Sequence, residues 1–118
     1  MLGSILLSSC EVQGDTTYQV LTPTEYEQII NKKEVQIVDV RTAGEYSQGH
    51  IKDALNIDVN ASDFKKKIDQ LDKNKPIYIY CRSGARSYKA GKIMSTLGFE
   101  EIYDLRGGIS SWRGEIRK

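Results

Sequence analysis

Hydrophobic positions along the chain fall into short β-branched or aromatic runs, separated by stretches whose apolar residues recur at helical spacing. Tyr18-Gln-Val-Leu21 is a short strand candidate. Thr22-Pro23-Thr24-Glu25 then opens a helix: Thr22 can cap, Pro23 suits the first helical position, and Glu25 stands three residues after Thr22 as a capping box requires. Tyr26, Ile29 and Ile30 give that helix one apolar face. Residues 35–40 (Val-Gln-Ile-Val-Asp-Val) read as a central strand and residues 54–57 as a shorter one. Residues 63–71 form an amphipathic helix with Phe64, Ile68 and Leu71 on one side, and Asn74-Lys75-Pro76 breaks the chain. Ile77-Tyr-Ile-Tyr80 is a strand that runs straight into Cys81. Residues 86–97 are helical with Ala90, Ile93, Met94 and Leu97 facing inward, and Gly98 closes the helix. Glu101-Ile-Tyr-Asp-Leu105 is the last strand, before Gly107-Gly108 and a terminal helix carrying Trp112. Strands alternating with helices predict an α/β domain whose mostly parallel sheet is covered on both faces.

Composition narrows the function. The 118 residues suffice for one compact domain, and 39% hydrophobic with 28% charged residues describe an ordinary globular chain. Seventeen Lys and Arg against sixteen Asp and Glu leave a net charge of +1, without the basic footprint of a nucleic-acid binder. Two Cys cannot build a multi-disulfide scaffold, and one His beside them makes a poor zinc site. Neither a metal nor an organic cofactor is indicated.

The first ten residues are apolar and small and carry no charged side chain. They fall far short of the roughly 20 apolar residues a membrane-spanning helix needs. Leu7-Ser8-Ser9-Cys10 resembles the lipobox of bacterial lipoproteins, whose Cys is lipidated after cleavage, although the short uncharged start departs from that pattern. On this reading residues 1–17 are a signal remnant and polar tether, Cys10 is the lipidation site, and residues 18–118 are the domain. The expected location is the cell envelope or periplasm, with the membrane touched only through the lipid. The alternative is a frayed terminus with an incidental Cys on a cytoplasmic protein.

Candidate chemistry concentrates in Cys81-Arg82-Ser83-Gly84-Ala85-Arg86-Ser87. The segment leaves the carboxyl end of a strand and enters the amino end of a helix, the edge at which open α/β sheets bind ligands. Gly84 permits a tight loop and Ala85 adds no bulk. A short loop wrapped around Cys81 would turn backbone N–H groups inward as an anion nest, to which the helix terminus, Arg82 and Arg86 add positive charge. Such a setting favours a reactive thiolate aimed at anionic substrates. The plainer reading is a buried structural Cys with two solvated arginines.

The same segment resembles the active-site loop of single-domain rhodaneses, which are sulfurtransferases. Val38-Asp-Val-Arg41 with Glu45-Tyr46, Gly49-His50-Ile51, Ala54 and Asn56 is similar to that family's first signature, and Asp104-Leu-Arg-Gly-Gly108 with Trp112 to its C-terminal segment. Each is weak alone, but together they cover roughly residues 18–117 in the family's order. The resemblance implies a rhodanese-like fold, with a mainly parallel five-stranded sheet and helices on both faces. It also implies Cys81 as the nucleophile, and Asp39, Arg41 and Glu45 as structural residues near the site.

Four residues separate Cys81 from Arg86. Cysteine phosphatases resemble a pattern with five, and a five-residue spacing here would put Ser87 where the phosphate-clamping Arg belongs. Serine lacks the planar guanidinium fork. The expected reaction therefore moves a sulfane sulfur from a small anionic donor such as thiosulfate, through a Cys81 persulfide, to a thiol, cyanide or reductant. Arg82 and Arg86 would hold the donor's oxyanion end, while Ser83 and Ser87 could donate hydroxyl bonds or simply cap the following helix. The alternatives are a persulfide carrier with little turnover of its own and, further off, a phosphatase- or arsenate-reductase-like enzyme. Asp39 and Arg41 could pair with each other or with Glu45. His50 is expected to bond backbone in a connecting turn, Arg106 to shape a loop near the site, Lys65-Lys66-Lys67 to form a solvated face, and Trp112 to pack in the core.

Overall fold

The computed structural model describes residues 15–118; residues 1–14, Cys10 among them, lie outside that range. Thr17–Leu21 form β1, Pro23–Lys32 α1, Gln36–Asp39 β2, Ala43–Gln48 α2, His50–Ile51 β3, Leu55–Asn56 β4, Phe64–Ile68 α3, Ile77–Tyr80 β5, Ala85–Thr96 α4, Glu101–Leu105 β6 and Ile116–Arg117 β7. Five strands make one sheet in the order β1-β6-β5-β2-β4, with every pairing parallel. The expected α/β architecture is thus present.

Alternation along the central strands divides the core in two. Ile77 and Ile79 of β5, with Val38 of β2, face Phe64 and Ile68 of α3 and Ala90 and Met94 of α4. Tyr78, Tyr80 and Ile37 face the opposite side with Tyr26 of α1 and Tyr46 of α2. Trp112 packs edge-on against Tyr26 on that second side. Helices therefore cover both faces. The capping box of α1 forms as its residues demand, with Thr22 accepting from the Glu25 amide and Glu25 accepting from that of Thr22.

Four features differ from the sequence expectation. An additional helix, α2, follows Thr42, whose Thr-x-x-Glu capping box with Glu45 repeats that of α1. His50 lies in a two-residue strand paired antiparallel with β7, not in a simple turn, although its Nδ1 does meet the Tyr46 carbonyl at 2.9 Å. The terminal helix reduces to one 3₁₀ turn, Gly108–Ser111, with Trp112 at its end. Trp112 at its C-cap takes extended backbone angles (φ −79°, ψ 136°), which ends the turn there. The third helix also ends at Ile68, short of the expected Leu71.

Candidate active site

Cys81 ends the buried run Ile77–Tyr80 at the carboxyl edge of the sheet and is almost sealed from solvent. Its Sγ accepts a hydrogen bond from the Gly84 amide at 3.0 Å. The turn that allows this rests on Gly84 at φ 126°, a conformation an L side chain rarely adopts. Gly84 is also the N-cap of α4, so the amino terminus of a twelve-residue helix opens beside the sulfur. No side chain caps that helix; Ser83 is exposed and Ser87 is turned inward. The Ser87 hydroxyl lies 3.4 Å from Sγ and donates to the Gly84 carbonyl at 3.1 Å.

The Gly107-Gly108 turn decides which way the loop faces. Ile109 N–H donates to the Cys81 carbonyl at 2.9 Å and Ser110 N–H to the Arg82 carbonyl at 3.1 Å. The two peptides that follow are trans, so their N–H groups, those of Arg82 and Ser83, point away from that turn. Only glycine fits at position 108, because a Cβ there would stand 2.4 Å from the Arg82 carbonyl carbon and oxygen. It is therefore the backbone of residues 108–110, and not the exposed Arg106 side chain, that shapes the loop.

The two arginines of the loop have different fates. Arg86 is held by Glu45 of α2 through Nη1 at 2.7 Å and Nη2 at 2.9 Å. That guanidinium, together with Thr42, pulls the Glu45 carboxyl down to about 2. Glu45 thus pairs with Arg86, while Arg41 pairs with Asp39. The Arg41 Nε lies 2.9 and 3.0 Å from the two Asp39 oxygens, and its Nη2 donates to Asp39 at 2.6 Å and to the Gly49 carbonyl at 2.8 Å. Both members of that pair are buried. With Asn56 bonded to the carbonyls of residues 39 and 41, they brace the strand end rather than reach a substrate. Arg82 is exposed, and its charge remains available at the mouth of the loop.

Asp104 completes the picture and was not among the expected site residues. It is buried in β6 and accepts from the Tyr18 hydroxyl at 2.5 Å. Alternation could have found it, since Asp104 follows Ile102 by two positions and must share its inward face. Two grooves, of about 670 and 820 Å³, line the amino ends of the strands, at the edge opposite Cys81.

Comparison with known proteins agrees with this geometry. The model of the Rhodanese-like domain family matches residues 22–115. A sulfurtransferase of Allochromatium vinosum is 36% identical over 102 residues, which cover 86% of each chain. The thiosulfate sulfurtransferase GlpE of Shewanella oneidensis is 32% identical over 97 residues, 82% of this chain and 94% of that protein. A tRNA uridine(34) hydroxylase of Pelagibacter ubique is 35% identical over 99 residues, 83% of this chain but only 33% of that longer protein. Among solved structures, a rhodanese-like domain protein from Staphylococcus aureus superimposes with a TM-score of 0.72 at 31% identity, covering 82% of this chain and 93% of that one. A cysteine at the end of the central parallel strand, cupped by a glycine-hinged loop and matched along nearly the whole domain, places the chain in the rhodanese-like domain family.

Proposed function

We propose that this protein is a sulfurtransferase that carries a sulfane sulfur as a persulfide on Cys81. The observation that carries the reading is the Gly84 amide directed at Sγ from a loop with four residues between Cys81 and Arg86. The Gly84 N–H and the α4 terminus place donors and partial positive charge where negative charge develops on sulfur during transfer. The Cys81 thiolate attacks the outer sulfur of thiosulfate. A sulfur–sulfur bond forms to Sγ, the bond to the sulfonate breaks, and sulfite leaves with its electron pair. The cradle then holds the persulfide anion until cyanide, a thiol or another thiophile removes the outer sulfur, which makes the kinetics ping-pong.

The Glu45 pair leaves Arg82 as the cation for the donor's oxyanion end. Arg82→Ala is expected to raise the KM for thiosulfate roughly 5- to 20-fold with a smaller change in kcat, as for loss of one partly solvated charge-assisted contact. Initial rates across donor concentrations check this; an unchanged KM would show that the donor is held elsewhere.

The reading itself is tested by cyanide-dependent thiocyanate release from thiosulfate, run beside p-nitrophenyl phosphate hydrolysis. Thiocyanate with no phosphate ester hydrolysis is expected. Hydrolysis without thiocyanate would reassign the loop to phosphate chemistry. A stable persulfide released only slowly to cyanide would make the protein a carrier.

A further inference from the structure

The transfer chemistry above takes one cation from the loop and leaves the other tied. Arg86 Nη1 and Nη2 meet Glu45 Oε1 and Oε2 at 2.7 and 2.9 Å, a fork-to-fork pair that uses both outer nitrogens of the guanidinium. The two side chains are 27% and 29% exposed, so an anion arriving from solvent meets the pair already closed. Glu45 comes from α2, a helix in which none of the six residues is fully buried. Its carboxylate is set in place by its own helix cap: Oε1 also accepts from the Thr42 amide at 3.2 Å and the Thr42 hydroxyl at 3.1 Å. With the carboxyl held at about 2, the pair stays ionised throughout the neutral range.

Arg86 nevertheless stands close to the reacting sulfur. It follows by two residues the Gly84 amide that lies 3.0 Å from Sγ, and two residues span at most about 7 Å of chain. A free guanidinium at that position would join Arg82 at the mouth of the loop. Such a fork binds the tetrahedral oxygens of thiosulfate, of departing sulfite and of inorganic phosphate alike. That attraction is uniform: it tightens ground state and product as much as the transition state, so it lowers KM without raising kcat. Bond formation to Sγ, by contrast, is open only to a ligand that carries a sulfane sulfur.

We propose that Glu45 is a specificity-determining residue: by neutralising Arg86 it holds down the loop's affinity for tetrahedral oxyanions, so that ligands are selected by the sulfur they can transfer. The inference rests on Cys81 being the site of sulfur transfer and adds what restrains anion binding there. Glu45 acts through Arg86 and touches no reacting atom. Sulfite therefore leaves readily, and the loop stays open in the presence of phosphate. The helix cap supplies a probe of this role. A Thr-x-x-Gln box caps a helix as Thr-x-x-Glu does, so Glu45→Gln keeps the Thr42 contacts while removing the charge opposite Arg86.

The test is calorimetric titration of the reduced protein with inorganic phosphate at low salt, beside the KM for thiosulfate and inhibition by sulfite. The wild type is expected to bind phosphate weakly. Glu45→Gln should tighten that binding roughly three- to tenfold, lower the thiosulfate KM by a similar factor and strengthen sulfite inhibition, without raising kcat. A merely structural role predicts a lower kcat with phosphate binding unchanged or weaker, and that result would overturn the inference. Glu45→Gln/Arg86→Gln removes both charges together and should return phosphate affinity to within about twofold of wild type. The double variant decides the matter alone if Glu45→Gln does not fold. A large loss of phosphate binding in it would show that Arg86 already serves as an anion ligand, and the proposal would fall. Phosphate binding requires no turnover. Unaltered affinity in Glu45→Gln beside normal sulfur transfer therefore sinks this inference alone, whereas phosphate binding as expected with no sulfur transfer sinks the transferase reading.

Discussion

Cys81→Ser is expected to abolish thiosulfate-dependent thiocyanate formation, by on the order of a thousandfold or more, while leaving the fold unchanged. The serine oxygen fits a position where Sγ is already sealed and bonded to the Gly84 amide, so neither packing nor loop geometry has reason to change. What disappears is the atom that can form a sulfur–sulfur bond. Intact mass after thiosulfate treatment separates the two consequences. The wild-type chain gains one sulfur, and the serine variant gains none at an unchanged melting temperature. Because the chain holds a second cysteine, the added sulfur must also map to Cys81 rather than Cys10. Turnover that survives in Cys81→Ser would remove the nucleophile from the account altogether.

The second large effect is expected at Gly108, far from Cys81 in sequence. An alanine Cβ would lie 2.4 Å from the backbone carbon and oxygen of Arg82 and 2.6 Å from the Cys81 oxygen. No side-chain rotation relieves contacts with backbone atoms, so the loop itself must move. Its φ of 62° adds the strain of a left-handed residue bearing a Cβ. The expected loss of stability is about 2–4 kcal/mol. A larger loss of activity, roughly a hundredfold, should accompany it, because the carbonyls that orient the 82 and 83 amides lose their anchors at Ile109 and Ser110. Gly98→Ala is the control. It too sits at positive φ, but its Cβ would meet nothing closer than the Lys73 side chain at 3.9 Å. It should lose stability and retain activity per folded molecule; chemical denaturation beside initial rates measures both. Equal activity in the two variants would show that the Gly108 turn does not shape the cradle.

These expectations mark where sequence reasoning succeeded and where it stopped. Local signals were readable. The Thr22–Glu25 capping box, the β-branched run into Cys81 and the glycine after it each specify structure within a few residues. The second helix carried the same Thr-x-x-Glu signature at Thr42, yet Ala43 to Gln48 buries no residue and so offers no apolar periodicity to flag it. The β3–β7 pair joins His50 to Arg117, and two-residue strands leave no alternation to detect. Ion-pair partners were the least legible. Arg86 and Glu45 lie 41 residues apart and meet only because α2 and the α4 terminus converge at one edge of the sheet. That convergence makes Arg82 and Arg86 unequal, although they look alike in the sequence. Asp104 was hidden for a different reason: a lone acid in an alternating strand reads as an outward residue until its register with Ile102 is noticed.

The most direct test is the electron density at Cys81 in a crystal soaked with thiosulfate. The account requires a second sulfur about 2.0–2.1 Å beyond Sγ, within hydrogen-bond reach of the loop amides. An unmodified Sγ in crystals that are active toward cyanide, or an intact thiosulfate bound with no bond to Cys81, would contradict it.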